Sequence, residues 1–328
     1  MRLGKFEHLE PKSLLEACTI LNESPASARV ISGGTDILLR MKQKLIAPQF
    51  LVDLKKIQGI GDIRFEAGEI RIGALVSLTD VQKSAVVRQQ IPILAQAAGL
   101  VGAIQLQNMG TIGGNLCLDT RCWYYNQSYV WRQARAACFK TGGEVCHMAK
   151  GSQRCYALYC GDTAPALLAL GAKVRLVSLR GERIVSLRDF FVDDGKNPTL
   201  LQADEVLTEV LVPVPEEGQR GTYLKFRRRE AIDFPIVGVG ASVTRENGVC
   251  QQACLALTGV SSSPVIIKNI DAILLGKKMT EELAGEAAQA AYTEVKPVSQ
   301  MEVSPSYRKR LVRVLVKDAL SQLFSLSV

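Results

Sequence analysis

Histidines and long apolar runs are scarce in this sequence of 328 residues. Only two histidines are present. No run of about 18 uncharged apolar residues occurs, so no membrane-spanning helix is predicted. The opening MRLGKFEHLEPKS has no apolar stretch of the signal-peptide type. We therefore expect a cytoplasmic chain with no membrane partner, whose cysteines are thiols or metal ligands in a reducing compartment.

Several familiar motifs are also missing. Neither G-x-G-x-x-G nor G-x-x-x-x-G-K-[ST] occurs, which argues against a nicotinamide-type Rossmann site and against a P-loop. No C-x-x-C pair occurs, which argues against a zinc ribbon and against the spacing of bacterial ferredoxins. No pairing of a nucleophile with a base is evident either. We therefore predict no catalytic residue for substrate chemistry in this chain.

The length and residue pattern predict an α+β protein of two domains. Hydrophobic residues make up 47% and charged residues 22% of the chain, which is typical of a globular protein. The first part alternates helix and strand signals, whereas the last 110 or so residues read as paired strands followed by three helices. The segment PVPEEG separates the two patterns. We place the boundary near residue 217, giving domains 1–217 and 218–328.

Two glycine pairs lie in similar polar surroundings. The first is Ser32-Gly33-Gly34-Thr35-Asp36, between a predicted strand and a predicted helix, and the second is Thr111-Ile112-Gly113-Gly114-Asn115. Paired glycines allow successive backbone N–H groups to face one concavity, which binds phosphate oxygens next to a helix N-terminus. One such pair alone could be a tight turn. Two pairs together favour a bound dinucleotide.

Six of the nine cysteines fall between residues 117 and 160. Four of them are separated widely enough to bring ligands from different points of one loop: Cys122, Cys138, Cys146 and Cys155. Thiolates suit zinc or an iron–sulfur cluster, and the spacing leaves both open. We take Cys117 and Cys160 as thiols outside the ligand set and His147 as a residue beside it.

The same segment is rich in aromatic and basic residues. From 121 to 160 it holds eight of the 19 aromatic residues of the chain, and six basic residues against Glu144 alone. Aromatic packing lowers the local dielectric, and nearby cations favour an anionic thiolate cluster. A basic surface would also attract an acidic redox partner.

The motifs VISGGTDILLRMK and NMGTIGGNLC resemble those of the FAD-binding medium subunits of the xanthine dehydrogenase and carbon monoxide dehydrogenase family. The run from Tyr223 to Arg229, followed by Asp233-Phe234, resembles the start of the C-terminal flavoprotein domain of that family. The resemblance implies an FAD-binding domain of the vanillyl-alcohol-oxidase (PCMH) type, followed by a C-terminal domain like that of the CO dehydrogenase flavoprotein.

The segment from about 121 to 160 interrupts this pattern, and it resembles the beta subunits of the 4-hydroxybenzoyl-CoA reductases, in which an extra loop carries a [4Fe-4S] cluster. The resemblance implies Cys122, Cys138, Cys146 and Cys155 as its ligands. It also implies a set of FAD-binding residues. These are Ile31, Ser32, Gly33, Gly34, Thr35, Asp36, Thr111, Gly113, Gly114, Asn115, Asp162 and Lys225.

The resemblance further implies a multisubunit enzyme with a molybdenum-cofactor subunit and a [2Fe-2S] subunit. Electrons would enter from reduced ferredoxin and serve the reductive removal of the phenolic hydroxyl of 4-hydroxybenzoyl-CoA. One alternative is a related molybdenum hydroxylase, in which electrons flow outward from another aromatic substrate. A second is a nucleic-acid-binding protein with a zinc-stapled loop, which the net charge of +8 would permit. No recognised nucleic-acid motif supports that second alternative, so we predict no nucleic-acid partner.

Overall fold

The computed structural model describes residues 2–300 and 303–325. Within these ranges the strands form three separate sheets. None of the helices described there is long and apolar enough to cross a lipid bilayer. The architecture is mixed α and β throughout, which confirms the predicted α+β class.

The first sheet is small and entirely parallel. Its strands are β1 (Glu7–Leu9), β2 (Ala28–Ile31) and β3 (Phe50–Asp53), in the order β1-β3-β2. The connecting helices are α1 (Leu14–Glu23) and α2 (Ile37–Lys42). Ser13 is the N-cap of helix α1. Its side chain accepts a hydrogen bond from the Glu16 N–H, as is usual for a serine in this position. The first glycine pair lies in the loop between β2 and α2.

The second sheet has five antiparallel strands in the order β4-β5-β8-β6-β7. They are β4 (Ile63–Glu66), β5 (Glu69–Gly73), β6 (Lys173–Ser178), β7 (Gly181–Ser186) and β8 (Val206–Pro213). The chain leaves this sheet after β5 and returns at β6. Helices α3 to α9 lie in that excursion. They are α3 (Leu78–Lys83), α4 (Ala85–Gln90), α5 (Pro92–Gly99), α6 (Ile104–Met109), α7 (Ile112–Leu116), α8 (Tyr129–Gln133) and α9 (Thr163–Ala169). Helix α10 (Leu187–Phe190) follows β7.

The third sheet is antiparallel in the order β12-β11-β10-β9. Its strands are β9 (Gln219–Phe226), β10 (Val237–Glu246), β11 (Val249–Thr258) and β12 (Val265–Ile266). Helices α11 (Ile270–Leu274), α12 (Glu281–Glu294) and α13 (Pro305–Ser325) follow it. Apolar side chains of α11, α12 and α13 form one core with β10 and β11, so this part of the chain buries its own hydrophobic face.

Helix α9 joins the second and third sheets. All seven of its residues are buried. At Gly240 in β10, a Cβ atom would lie 2.5 Å from the carbonyl carbon of Pro165, so only glycine allows this close an approach. Tyr223 and Ala256 of the third sheet complete the core around α9. The last residues before α9 are thereby fixed against both sheets.

The glycine-rich composition of residues 102–115 predicts an irregular segment. This prediction is wrong, because the stretch contains helices α6 and α7. Helix α7 is set by tertiary contacts, because the N–H groups of Ile112 and Gly113 donate to the carbonyl groups of Val76 and Ala74. Local sequence carries no sign of those contacts.

Candidate functional site

A cavity of about 640 Å³ lies between the first sheet, helix α7 and the start of β8. Its volume is typical of a site for a cofactor-sized molecule. Eleven of the twelve residues predicted to hold a flavin line it, and Lys225 is not among its lining residues. The structure therefore brings two distant segments of the sequence to one concave surface.

The first glycine pair is held directly against the chain that precedes the second. A Cβ atom at Gly33 would lie 1.7 Å from the carbonyl oxygen of Met109, so no larger residue fits there. Gly34 has φ +72, a conformation that glycine adopts without strain. This arrangement exposes the backbone and the hydroxyl groups of the loop to the cavity.

The second glycine pair forms the start of α7. Thr111 is the N-cap, and its hydroxyl accepts a hydrogen bond from the Gly114 N–H at 3.1 Å. A Cβ atom at Gly113 would lie 2.7 Å from that of Ala74, so this residue is packed against β5. The hydroxyl groups of Thr111 and Ser32 are 3.1 Å apart, which joins the two motifs.

Asn115 ties the second motif to α9. Its side-chain oxygen accepts hydrogen bonds from the N–H of Thr163 at 3.1 Å and from the hydroxyl of Thr163 at 2.7 Å. The Asn115 side chain is thereby held in one orientation at the cavity wall. Position 115 thus fixes the distance between α7 and α9.

Asp162 is a buried carboxylate at the cavity wall, next to Lys225. It accepts hydrogen bonds from the Tyr223 hydroxyl at 2.7 Å and from the Lys225 ammonium at 3.0 Å. Burial raises the pKa of Asp162 and lowers that of Lys225. The ammonium also donates to the carbonyl oxygens of Leu100 and Asp233. Lys225 does not line the cavity itself, but it holds Asp162 and the backbone at Asp233, which do.

The lining of the cavity is mixed in character. It includes the apolar side chains of Leu21, Leu54 and Leu201 as well as Arg121 and Phe234. The guanidinium of Arg121 lies 4.7 Å from the centre of the Phe234 ring. None of these five residues was predicted for the site, because each is a single common residue outside both motifs.

These features fit an FAD molecule. Glycines let the backbone approach a diphosphate closely, and three hydroxyl groups, those of Ser32, Thr35 and Thr111, stand at the same wall. Hydroxyl and backbone N–H groups are the usual partners of phosphate oxygens. The apolar residues of the lining suit a flat ring system. The cavity therefore offers suitable partners for both the charged and the apolar parts of the molecule.

The cysteine insertion, residues 121–160, is closed at its base by two backbone hydrogen bonds between Arg121 and Leu158, both 2.7 Å. Within it, the backbone of Cys138 pairs with that of Val145, the residue before Cys146. Besides burial, negative charge on Cys138 and Cys146 raises the pKa of Cys122, and charge on Cys122 and Cys146 raises that of Cys155. The four predicted ligands, which the sequence spreads over 34 residues, thus share one part of the insertion.

The sulfur atoms of the insertion have hydrogen-bond donors around them. The Ala157 N–H donates to the Cys155 sulfur at 3.5 Å, and the Thr141 hydroxyl donates to that of Cys138 at 3.7 Å. Burial raises the pKa of the Cys122 thiol to about 11 and that of Cys155 to about 12. A bound metal centre would be needed to keep these two as thiolates near neutral pH.

The thiols are not gathered tightly around a single point. In the part of the chain that the structure describes, only His8, Glu10 and Asp53 bring three ligating atoms within 4.8 Å of one another. Both carboxylates of that trio are ion-paired with lysines. A tetrahedral zinc ion, with Zn–S bonds of about 2.3 Å, holds its thiolates about 3.8 Å apart. Among the described residues, no three of the cysteine sulfurs lie within 4.8 Å of one another, so they are not arranged as around a bound zinc ion.

The remaining residues singled out in this region lie elsewhere. Cys117 and Cys160 line the 640 Å³ cavity. Cys117 is exposed there, whereas Cys160 is buried, and burial raises the pKa of the Cys160 thiol to about 11. A ring nitrogen of His147 is 2.9 Å from the carbonyl oxygen of Ala136, and its ring centroid is 5.4 Å from that of Tyr124. Each of these contacts is local.

Two family models together cover most of the chain. Residues 4–215 match the FAD binding domain in molybdopterin dehydrogenase, and residues 221–323 match the CO dehydrogenase flavoprotein C-terminal domain. These matches confirm the predicted fold class.

Individual relatives match over nearly their whole length. The FAD-subunit of nicotinate dehydrogenase from Eubacterium barkeri is 28% identical, with 97% of each chain covered. The FAD-binding subunit of aldehyde oxidoreductase from Escherichia coli is 31% identical over 90% of this chain and 92% of its own. A structure of carbon monoxide dehydrogenase from Hydrogenophaga pseudoflava superposes with a TM-score of 0.84 and 26% identity, covering 99% of both chains.

Proposed function

This chain belongs to the family of FAD-binding medium subunits of the molybdenum hydroxylases, and we propose that it also carries a [4Fe-4S] cluster and serves a 4-hydroxybenzoyl-CoA reductase. Its family makes it an FAD-containing electron-transfer subunit of an oxidoreductase. The boundary between its FAD-binding and C-terminal domains is placed near residue 217. The observation that carries the proposal is the cysteine insertion, whose first ligand follows directly on a residue that lines the flavin cavity.

Residues that line the cavity would bind the different parts of FAD. Ser32 to Asp36 and Thr111 to Asn115 would hold the diphosphate and ribityl chain, and Asp162, backed by Lys225, would face the ring system. When bound, FAD exchanges electrons singly or in pairs between one-electron and two-electron carriers. The protein orients the cofactor and limits its contact with water.

Cys122, Cys138, Cys146 and Cys155 would hold the cluster. Support comes from the backbone pairing that brings Cys138 beside Cys146 and from the hydrogen-bond donors at the Cys138 and Cys155 sulfurs. Hydrogen bonds to sulfur and a buried, aromatic environment tune the reduction potential of such a cluster.

The assembled enzyme would transfer two electrons and two protons to 4-hydroxybenzoyl-CoA, releasing water and benzoyl-CoA. Substrate would bind at the molybdenum-cofactor subunit, with a [2Fe-2S] subunit between that site and this chain. Reduced ferredoxin is the proposed donor. The exposed part of the insertion supports an acidic donor, since the guanidinium of Arg135 stacks 4.3 Å from Trp131 beside the exposed side chains of Tyr129 and Val130.

An anaerobic assay of the purified protein for iron, sulfide, zinc and flavin tests the cofactor content. We expect about four iron atoms and one FAD per chain. A zinc atom without sulfide would contradict the cluster. The reaction itself is tested by supplying the complex with reduced ferredoxin and 4-hydroxybenzoyl-CoA and measuring benzoyl-CoA.

A second candidate is a hydroxylase or dehydrogenase of another aromatic or heterocyclic compound, with electrons leaving through the flavin. The relatives support it, since one is named a nicotinate dehydrogenase subunit and another a nicotine 6-hydroxylase subunit. Turnover that consumes an oxidised acceptor, with no reaction from reduced ferredoxin, would favour this candidate.

A further inference from the structure

Asp36, the last residue of the first glycine motif, is held by the cysteine insertion. Arg121, the residue immediately before Cys122, forms an ion pair with the Asp36 carboxylate through Nη2. The same guanidinium covers the Phe234 ring at the cavity wall. One side chain therefore contacts the glycine loop and the segment at 234, while its backbone closes the base of the insertion.

A second route reaches Asp36 from another part of the insertion. Lys140, two residues after Cys138, donates to the Asp119 carboxylate at 2.7 Å and to the Thr120 hydroxyl at 2.7 Å. Asp119 is ion-paired with Arg40 at 3.0 Å, and Arg40 lies 4.0 Å from the other oxygen of Asp36. The side chain of Lys140 is only 5% exposed, so its position depends on how the insertion is folded.

We propose that Arg121 and Lys140 are positioning residues that couple the cluster site to the flavin site. This inference rests on the proposed function, since it requires a cluster in the insertion. A cluster that fixes Cys122 and Cys138 also fixes Arg121 and Lys140. These two cations then hold Asp36, directly and through Asp119 and Arg40, in the position that shapes the flavin cavity.

Coupling of this kind is reciprocal. If cluster occupancy strengthens FAD binding by some factor, FAD occupancy must strengthen retention of the cluster by the same factor. Coupling factors of about 5- to 150-fold are typical. The charges here are partly buried, so bulk salt screens them less than it screens surface pairs.

The experiment compares FAD affinity with and without the cluster, using the full chain prepared anaerobically. Cys146→Ser removes one proposed ligand and leaves both ion-pair routes chemically intact. We expect it to abolish bound iron and sulfide and to weaken FAD binding about tenfold, measured by recovery of flavin fluorescence on release. In Arg121→Gln/Lys140→Gln protein, FAD binding is already weakened, and adding Cys146→Ser should weaken it no further.

Two further variants control for charge and folding. Lys150→Gln removes one exposed cation of the same insertion outside this network, and the tenfold response to Cys146→Ser should persist in it. Arg121→Lys keeps a cation that can reach Asp36 and should retain most of the response. If Arg121→Gln fails to fold, Lys140→Gln alone takes its place, and the response to Cys146→Ser should be smaller in it than in wild type.

The outcomes separate the two proposals. Wild-type protein with iron and sulfide whose FAD affinity does not respond to Cys146→Ser overturns the coupling and leaves the cluster standing. An equal response in the Arg121→Gln/Lys140→Gln background also overturns it. Wild-type protein without iron and sulfide overturns the cluster, and the coupling with it. As a reciprocal check, saturating FAD should slow loss of iron to a chelator about tenfold in wild type and not in Arg121→Gln/Lys140→Gln protein.

Discussion

The side-chain oxygens of Ser32 and Thr111 lie 3.1 Å apart, although 79 residues separate them in the sequence. This contact joins the two glycine motifs at the wall of the flavin cavity. Thr111 has a second task, because its hydroxyl also caps α7 through the Gly114 N–H. The two hydroxyl groups can therefore be distinguished by mutation.

Thr111→Val should weaken both the local fold and FAD binding. It removes the helix cap, which contributes about 1 kcal/mol, and also the contact with Ser32. Ser32→Ala is the matched control, since it removes the contact and leaves the cap. We expect Thr111→Val to lower the free energy of unfolding by about 1 kcal/mol more than Ser32→Ala, measured in urea. Equal effects would show that the cap contributes nothing.

Gly33→Ala should prevent the glycine loop from closing. The added Cβ would meet the Met109 carbonyl oxygen at 1.7 Å, and a backbone atom cannot turn away as a flexible side chain can. We expect loss of bound FAD in the purified protein, read from its visible spectrum. Gly285→Ala makes the same chemical change inside α12, where no atom lies within 4 Å. It should raise the free energy of unfolding by about 0.5–1 kcal/mol and leave FAD content unchanged.

Much of the strand pattern could be predicted from sequence, because hairpins carry local signals. The two short runs 63–66 and 69–73, on either side of Ala67-Gly68, predict a hairpin, and strands β4 and β5 occupy those residues. The helices of 102–115 could not be predicted, since contacts with β5 and its following residues create α7.

The residues of the site also fall into those with a local sequence signal and those that only long-range contacts reveal. The glycine motifs and the cysteines were visible in the sequence because residue type and spacing mark them. The ion pair of Arg121 with Asp36 was not, because 85 residues separate two common side chains. Only the folded chain shows that the cysteine insertion contacts the flavin loop.

Asp162→Asn should destabilise the protein strongly. It leaves the Lys225 ammonium buried with carbonyl oxygens but without its carboxylate. Breaking a buried pair in this way costs about 3–5 kcal/mol. Asp162→Asn/Lys225→Met should recover part of that loss in urea unfolding. A double variant as unstable as the sum of the two single variants would contradict a direct interaction between these side chains.

The same variant should respond to pH in a defined direction. Burial already lowers the pKa of Lys225, and loss of Asp162 removes the main charge that opposes this shift. Between the lowered folded-state pKa and the unfolded value of about 10.4, the unfolded chain binds more protons than the folded one. Stability must then rise with pH in that interval. We expect Asp162→Asn to regain stability between neutral pH and about pH 10 more steeply than wild type.

Cys138→Ser should abolish the absorbance of the proposed cluster and its iron content. A serine hydroxyl replaces the thiolate that iron prefers. Cys254→Ser is the matched control. The Cys254 thiol contacts the Leu168 carbonyl and Arg188 near the third sheet, so iron should remain. Full retention of iron and sulfide in Cys138→Ser protein would remove Cys138 from the ligand set.

Arg135→Glu should slow electron uptake from an acidic donor. Arg135 is exposed and stacked on Trp131, in a segment that holds six basic residues and one acidic residue. Attraction between opposite charges accelerates encounter and is screened by salt. We expect the second-order rate constant for reduction by ferredoxin to fall about tenfold at low ionic strength. The difference from wild type should shrink as salt is added.

Lys309→Glu separates this local effect from a change in net charge. Lys309 lies on α13, where its ammonium is 4.6 Å from the centre of the Tyr292 ring, so both variants reverse a cation stacked on an aromatic ring. Each also lowers the net charge of +8 by the same amount. If the donor docks on the insertion, Lys309→Glu should change the rate far less than Arg135→Glu. Equal slowing by both would mean that the donor responds to the charge of the whole protein. The proposal that electrons enter through the insertion would then be wrong.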